Sequence, residues 1–214
     1  MTQIKICGIT NVEDASFVAQ CGADAIGFIF YPESPRYVAP ERVKKIIENI
    51  PKEITKVGVF VNHDLVEAKQ TIDFCGLDMV QLHGDEPPAY CSQFSRSQVI
   101  KALAPRTEDD LENLKAYPVK AVLVDAYDPR HYGGTGEQAD WTLAAKVKAT
   151  YPLILAGGLS MANIRQAIKH ASPHAVDINS GTEIAPGQKD HQKVKAIIEL
   201  VHQLGGENAA IFGR

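Results

Sequence analysis

The sequence is poor in the features that mark exported and membrane-spanning proteins. Its 214 residues include only four cysteines, at positions 7, 21, 75 and 91, and no two of them form a CxxC pair. No apolar run approaches the roughly 20 residues of a membrane span, and the N-terminus lacks the basic and long apolar segments of a secretory signal. We therefore expect reduced thiols, a cytoplasmic location and no membrane partner.

A strong charge of either sign is also missing. The 22 Lys and Arg residues nearly balance 26 Asp and Glu residues, and the formal net charge is -4. Because nucleic acids are bound by clustered basic residues, we expect no nucleic-acid partner. No GxGxxG fingerprint follows the first predicted strand, and there is no Walker-type GxxxxGK[ST] motif. We expect no cofactor, and we expect no metal site from the seven scattered histidines.

Eight short apolar runs recur along the chain, and each is followed by a segment with helical spacing. The runs are nearly continuous rather than alternating in polarity, which is typical of parallel strands buried on both faces. Eight such units predict an α/β fold, a closed (β/α)8 TIM barrel that forms a single domain over residues 1–214. An open doubly wound sheet is the alternative. The runs are IKIC, AIGFIF, KVGVFV, MVQLH, VIKAL, AVLVDA, LILAGG and AVDINS.

Local signals predict where several helices begin or end. Pro40 suits the first turn of the second helix, and Ser160 is a good N-cap for the helix after the seventh strand. The sixth helix is expected to start near Asp140, and the last helix to run from about Lys189 to Leu204. We expect Ala209 to Arg214 to fray.

Reactive side chains stand where several predicted strands end, and this is where such barrels carry their chemistry. Cys7 ends the first strand, His83 the fourth and Asp125 the sixth. Arg36 lies in a Pro-constrained loop after the second strand, where its planar guanidinium would suit a carboxylate or a phosphate. The alternatives are that Cys7 is a buried apolar residue, that Arg36 is a solvated loop residue, and that Asp125 merely begins a turn.

Small residues end the seventh and eighth strands. Gly157 and Gly158 follow one strand, and Ser180 and Gly181 follow the other. Such residues let backbone N–H groups approach an anion closely, and many barrels bind phosphate at these two strands. The alternative is that the glycines only permit tight turns. Without a Walker motif, the pattern favours a sugar phosphate over a nucleoside triphosphate.

A thiol and a carboxylate on the first and sixth strands would face each other across the barrel mouth. Such a pair can divide proton transfers, with Asp125 as a general acid. Cys7 could instead be a nucleophile, for which His83 is a candidate base by spacing alone. We expect Gly8 to clear space for the ligand, and the Gly-rich segment 132–138 could fold over it. Asp177, on the eighth strand, receives no role.

Seven motifs in register resemble the phosphoribosylanthranilate isomerase family. The resemblance runs from about residue 4 to residue 195, and each motif falls at the matching strand exit. Any one of them alone is a weak signal. The motifs are KICGIT, DAIGFIFYPESPRYV, VGVFVN, VQLHGDE, VDAYDP with GGTGEQADW, ILAGGLS, and VDINSGTE with PG and KD.

The resemblance implies an isomerase of tryptophan biosynthesis that acts on the small molecule N-(5-phosphoribosyl)anthranilate. Carried over to this sequence, Cys7 matches the general base and Asp125 the general acid. Arg36 matches the residue that binds the anthranilate carboxylate, and His83 lies in a matching substrate-site motif. The residues that match the phosphate site are Gly157, Gly158, Ser180 and Gly181.

Two other interpretations of the function remain open. One is a different phosphate-binding barrel, such as a sugar-phosphate epimerase with metal-binding histidines or the neighbouring synthase of the pathway with a catalytic Lys. Lys5 shares the inward face with Cys7 but lies too deep for that second role. The other reading is a ligand-binding barrel with a degenerate site. We expect a monomer or a homodimer.

Overall fold

Eight parallel strands close into a barrel in the order β1 to β8. The structure is a computed structural model that describes residues 1–126, 139–205 and 209–213. The strands follow the eight apolar runs, and all but the last residues of β2 and β5 are buried, because both faces of the sheet are covered. Their bounds are β1 (Gln3–Ile6), β2 (Ala25–Ile29), β3 (Thr55–Phe60), β4 (Met79–Leu82), β5 (Val99–Leu103), β6 (Ala121–Val124), β7 (Leu153–Leu155) and β8 (Ala175–Ile178).

Eight α-helices lie in the described part of the chain, one after each barrel strand, so the predicted (β/α)8 barrel is confirmed. Pro40 occupies the first turn of the second helix, as expected, and Asp140 caps the sixth. The bounds are α1 (Val12–Gln20), α2 (Pro40–Ile47), α3 (Leu65–Cys75), α4 (Pro88–Cys91), α5 (Glu108–Leu114), α6 (Trp141–Val147), α7 (Ile164–Ala171) and α8 (His191–Leu204). A small hairpin of β9 (Glu183–Ala185) and β10 (Gln188–Lys189) precedes α8.

The start of α7 differs from its prediction. Asn163, not Ser160, is the N-cap, and the helix begins at Ile164. The Asn163 side chain makes no capping bond, because it is used in the preceding loop: Oδ1 accepts from the Ser160 N–H, and Nδ2 donates to the Gly158 carbonyl. The loop after β7 is therefore closed by a side chain from its far end.

The C-terminal segment is folded rather than frayed. In the described residues 209–213, the side chains of Ile211 and Phe212 are fully buried. Gln3 binds this segment through both ends of its amide, because Oε1 accepts the two backbone N–H groups and Nε2 donates to the Phe212 carbonyl. Since Gln3 begins β1, the segment closes the amino end of the barrel. The prediction of a frayed terminus is wrong for these residues.

The interior of the barrel has its own apolar cluster, separate from the larger core between strands and helices. Ile211 and Phe212 belong to it, together with inward-facing residues of seven strands. These are Ala25, Val57, Met79, Ile100, Ala102, Ala121, Leu123, Ile154, Ala156 and Ala175. The amino end is therefore packed, and the opposite end is left to polar groups. No helix in the described ranges is long and apolar enough to cross a membrane.

Candidate active site

A cavity lies at the carboxyl end of the barrel, with a volume of about 730 Å3 that includes space open to solvent. Its wall brings together seven of the eight candidate residues: Cys7, Arg36, His83, Asp125, Gly157, Gly158 and Ser180. The apolar residues of the wall are Ile29, Val59 and Val61 at β2 and β3, and Ala156 and Leu159 after β7. Parallel strands with a common direction place all these residues at one end, as the strand pattern predicts.

Cys7 follows the last residue of β1 and is 5% exposed. Its backbone N–H donates to the Ile178 carbonyl, which ties the exit of β1 to that of β8. Burial raises the pKa of the Cys7 thiol, while the nearby Lys5 ammonium opposes that rise. The thiol is thus part of the cavity wall, and its proton must be removed before it can act as a base.

Asp125 follows the last residue of β6 and is held from two sides. Its Oδ1 accepts the backbone N–H of Ala126 at 2.8 Å, and its Oδ2 lies 3.3 Å from His83 Nε2. His83 Nδ1 is 2.9 Å from Gln81 Nε2. When Gln81 donates to Nδ1, the proton of a neutral His83 resides on Nε2, where it faces the carboxylate. His83 therefore stands beside the acid rather than beside Cys7.

Arg36 enters the cavity from the loop after β2 and is bound by Glu183. Nε donates to Oε1 at 2.9 Å, and Nη2 donates to Oε2 at 2.8 Å. Lys189 adds a third contact, from Nζ to Oε1 at 3.2 Å. Burial would raise the pKa of Glu183, but the hydrogen bonds from Arg36 and the charge of Lys189 outweigh it, and the pKa is lowered. The carboxylate is thus ionised and fixes one edge of the guanidinium.

The loops after β7 and β8 present free backbone N–H groups to the cavity. Gly157 and Gly158 have φ values of 78° and 59°, a conformation that favours glycine. A Cβ at Gly181 would lie 2.0 Å from the Leu159 carbonyl oxygen, so the two loops pack backbone against backbone. Within the described chain, no hydrogen bond is donated by the N–H groups of Gly158, Leu159, Ser180 or Gly181. Of these four residues, Gly158, Leu159 and Ser180 line the cavity, and backbone donors grouped in this way can bind an anion.

A family model described as N-(5'phosphoribosyl)anthranilate (PRA) isomerase matches residues 4–200. The chain belongs to the PRA isomerase family. A PRA isomerase from Syntrophus aciditrophicus is 48% identical over 206 residues, which cover 96% of this chain and 90% of the relative. The predicted resemblance is confirmed.

Solved structures of PRA isomerases have the same architecture. The crystal structure from Thermotoga maritima matches with a TM-score of 0.86 at 39% identity, covering 95% of this chain and 100% of that one. A PRA isomerase in complex with reduced 1-(o-carboxyphenylamino)-1-deoxyribulose 5-phosphate matches with a TM-score of 0.83 at 38% identity, with the same coverage.

For this PRA isomerase family member, the expectation about Gly8 needs revision, and the place of Gly181 in the phosphate site stays a prediction. Gly8 has a φ of 73°, and a Cβ there would lie 2.5 Å from Asn179 Oδ1 and 2.9 Å from Arg36 Cδ. Gly8 therefore clears space for two protein side chains rather than for the ligand. Gly181 is not among the described residues that line the cavity, because its position is taken up by the contact between the two loops.

Sequence reasoning missed several polar residues of the site. Glu183, Lys189 and Gln81 were not singled out, and Asp177, which lines the cavity, had no role. Lys5 was rejected as too deep, yet it lies directly below Cys7. The even spacing of Lys5 and Cys7 along β1 was the one available signal, because alternate strand residues share a face.

Metal ligands were not expected, and among the described residues no group of three or more His, Cys, Asp or Glu side chains could hold a metal ion. His170 and His174 have a spacing found in metal-binding helices, but α7 ends at Ala171. His174 Nδ1 instead accepts the Leu153 N–H. The Gly-rich segment 132–138 lies outside the described residues.

Proposed function

We propose that the chain converts N-(5'-phosphoribosyl)anthranilate into 1-(2-carboxyphenylamino)-1-deoxyribulose 5-phosphate, an acid–base Amadori rearrangement in tryptophan biosynthesis. The observation that carries the proposal is one cavity whose wall holds Cys7, Asp125, Arg36 and the free N–H groups of two neighbouring loops. Membership of the PRA isomerase family supports it further. The substrate is a small sugar phosphate with two anionic ends.

The cavity offers a partner for each part of that substrate. The second edge of the Arg36 guanidinium suits the anthranilate carboxylate, because Glu183 occupies the first edge. The apolar residues of the wall, such as Val59 and Leu159, suit the aromatic ring. The nest after β7 and β8 suits the phosphate, with Gly157, Gly158, Ser180 and Gly181 as its backbone. These contacts would fix the sugar between the thiol and the carboxyl group.

Asp125, in its protonated form, acts as the general acid. It donates its proton to the ring oxygen of the ribose, and the bond between that oxygen and C1 breaks. The lone pair of the anthranilate nitrogen forms the C1–N double bond of a Schiff base. His83, with Nε2 3.3 Å from Oδ2, lies within the substrate site and can contact both the carboxyl group and the sugar.

Cys7, as the thiolate, acts as the general base. It takes the proton from C2, the electron pair of that C–H bond forms a C1–C2 double bond, and the iminium nitrogen becomes neutral. The resulting enolamine gains a proton at C1 and loses the hydroxyl proton at C2, which gives the ketone. C1 is reduced and C2 is oxidised within one molecule. The step therefore consumes no external oxidant or reductant, and no cofactor is invoked.

The same proposal has consequences for the oligomeric state and the cellular location of the protein. Each described group of the site comes from one barrel, so a single chain supplies the acid and the base, and a monomer or a homodimer would serve. One related structure is described as monomers made from a dimeric isomerase of Thermotoga maritima. The four described cysteines are free thiols, which suits the reducing cytoplasm where amino acids are made.

The test is to add purified protein to N-(5'-phosphoribosyl)anthranilate and to follow the loss of the anthranilate fluorescence, without metal or cofactor. We expect Cys7→Ala and Asp125→Asn each to lower kcat by at least about 10²-fold, because each removes one proton-transfer group. Circular dichroism checks that both variants fold. Cys75→Ala, which removes a thiol outside the cavity, is the matched control and should keep full activity.

Two results would reject the assignment. Unchanged turnover in both variants would mean that neither group transfers a proton. No fluorescence loss with the unaltered, folded protein would mean that this substrate is wrong.

A further inference from the structure

Lys5 is a fully buried lysine directly below Cys7. It lies two residues earlier on β1, and strand geometry points both side chains into the barrel. Its Nζ donates to Asp177 Oδ2 at 2.7 Å, and the register of β1 and β8 pairs the two residues directly. Lysine is almost never fully buried without a partner. Asp177 is therefore the anchor of the ammonium group.

The ammonium group also acts on the sulfur, because its charge and a hydrogen bond from it work against the rise that burial causes in the pKa of the Cys7 thiol. A Cβ built at Gly27 on β2 would lie 2.7 Å from Cys7 Sγ and 3.0 Å from Lys5 Nζ. Both atoms thus occupy the space next to β2 that another residue would fill with its side chain. An ammonium has three protons, so Lys5 can bind Asp177 and the sulfur at the same time. The glycine makes room for this contact.

The remaining charged groups near the sulfur leave a positive surplus. On the Cys7 side of the cavity, in their ordinary charge states, Lys5, Lys189 and Arg36 carry three positive charges and Asp177 and Glu183 carry two negative ones. His83 and Asp125 face the sulfur from the other side of the cavity. A thiolate would neutralise the surplus.

The pKa values respond to this surplus. Burial lowers the pKa of Lys189, with Arg36 adding to the effect, although Glu183 and Cys7 oppose it. Burial would also lower the pKa of Lys5, but Asp177 and Cys7 outweigh it and the pKa is raised. The surroundings of Lys5 therefore favour its charged form, whereas those of Lys189 disfavour it.

We propose that Lys5, anchored by Asp177, is the counter-ion that stabilises the Cys7 thiolate. Lys5 is then a positioning residue: it touches the base and not the substrate, and it keeps its proton throughout. The inference rests on the proposed function for its catalytic meaning. The interaction itself exists in the free protein, and it can be measured there without any substrate.

The direct test is the titration of Cys7 in protein that carries carbon-13 at the cysteine Cβ atoms, with the Cys7 signal assigned by its loss in Cys7→Ala. In Lys5→Met the thiolate loses its counter-ion, and the thiol pKa should rise. In Asp177→Asn the thiolate becomes the one anion in contact with Lys5, and the pKa should fall. Lys56→Met, which removes another buried lysine remote from the cavity, should leave the titration unchanged.

Kinetic measurements distinguish the proposed role of Lys5 from the proposed isomerase activity. In Lys5→Met the limb of the kcat profile that reports the ionisation of Cys7 should move to higher pH, with kcat at neutral pH about tenfold lower or more. An unshifted titration in both Lys5→Met and Asp177→Asn would overturn the counter-ion while leaving the isomerase activity intact. If the unaltered protein were inactive on the substrate, the proposed function would fail, but the titration would still decide the role of Lys5. Should Lys5→Met not fold, the direction of the shift in Asp177→Asn decides.

Discussion

Arg36 enters the cavity with one edge of its guanidinium already bound. The hydrogen bonds that Arg36 Nε and Nη2 donate to the Glu183 carboxylate hold the side chain before any ligand arrives, and Arg36 Cδ lies so close to Gly8 that a Cβ there would be 2.9 Å from it. A fixed side chain loses less conformational entropy on binding than a free one. By holding Arg36 in place, Glu183 would therefore strengthen substrate binding, although Glu183 itself lies outside the proposed contact between Arg36 and the substrate.

We predict that Glu183→Gln weakens substrate binding more than it slows the reaction. The amide keeps one acceptor but loses the charge that fixes the guanidinium, so KM should rise roughly tenfold while kcat changes less. Initial rates across a range of substrate concentrations measure both constants. Glu67→Gln, an exposed change on α3, is the control. An unchanged KM would show that Arg36 does not need its partner.

The candidate residues divide into those that sequence could predict and those it could not. Cys7 and Asp125 could be predicted because each directly follows an apolar strand, and position along the strand fixes the end of the barrel on which a side chain lies. The partnership of Arg36 with Glu183 could not, because 147 residues separate them and nothing local links them. Polar partners of this kind arise only when the barrel closes.

The loop after β7 depends on two successive glycines with positive φ. A Cβ at Gly157 would lie 2.8 Å from the Ala126 N atom, next to Asp125. The loop is therefore packed against the exit of β6, so the proposed phosphate nest and the proposed general acid share a wall. A change in one is transmitted to the other through backbone contact.

We predict that Gly157→Ala impairs both stability and activity. Its backbone strain should cost about 1–2 kcal/mol of unfolding free energy, and displacement of the loop should raise KM by about tenfold. Gly76→Ala is a matched control, since Gly76 has a φ of 70° but nothing within 4 Å of its added Cβ. The control should lose similar stability in urea denaturation and keep its KM. Equal KM values in both variants would contradict the prediction.

Element boundaries show the same division between local and long-range effects. The first turn of α2 follows Pro40 as expected, because proline fixes its own backbone. Ser160 was a reasonable cap by residue type, but the helix begins later because Asn163 bonds to the loop instead. A cap preference is weak compared with two hydrogen bonds that close a functional loop.

At the scale of the whole molecule, the two ends of the barrel differ in structure. The carboxyl end holds the cavity, and the amino end is closed by Ile211 and Phe212. The barrel itself was predictable from eight repeated apolar runs. The closing segment was not, because its two apolar residues find their partners on strands that are far from it in the sequence.

We predict that Phe212→Ala destabilises the fold without affecting catalysis. Removal of a fully buried aromatic side chain should lower the unfolding free energy by about 3–5 kcal/mol, measured by urea denaturation. The kcat of the folded fraction should stay the same because the cavity is at the other end. Phe74→Ala, at a 44% exposed position, should lose much less stability. Equal losses would mean that the segment does not hold the barrel closed.

The burial of Cys7 also affects how the protein withstands oxidants. Peroxides attack accessible thiolates, and both the low exposure and the raised thiol pKa of Cys7 work against that attack. The burial that disfavours the Cys7 thiolate therefore also protects the Cys7 sulfur from oxidation to sulfenic acid.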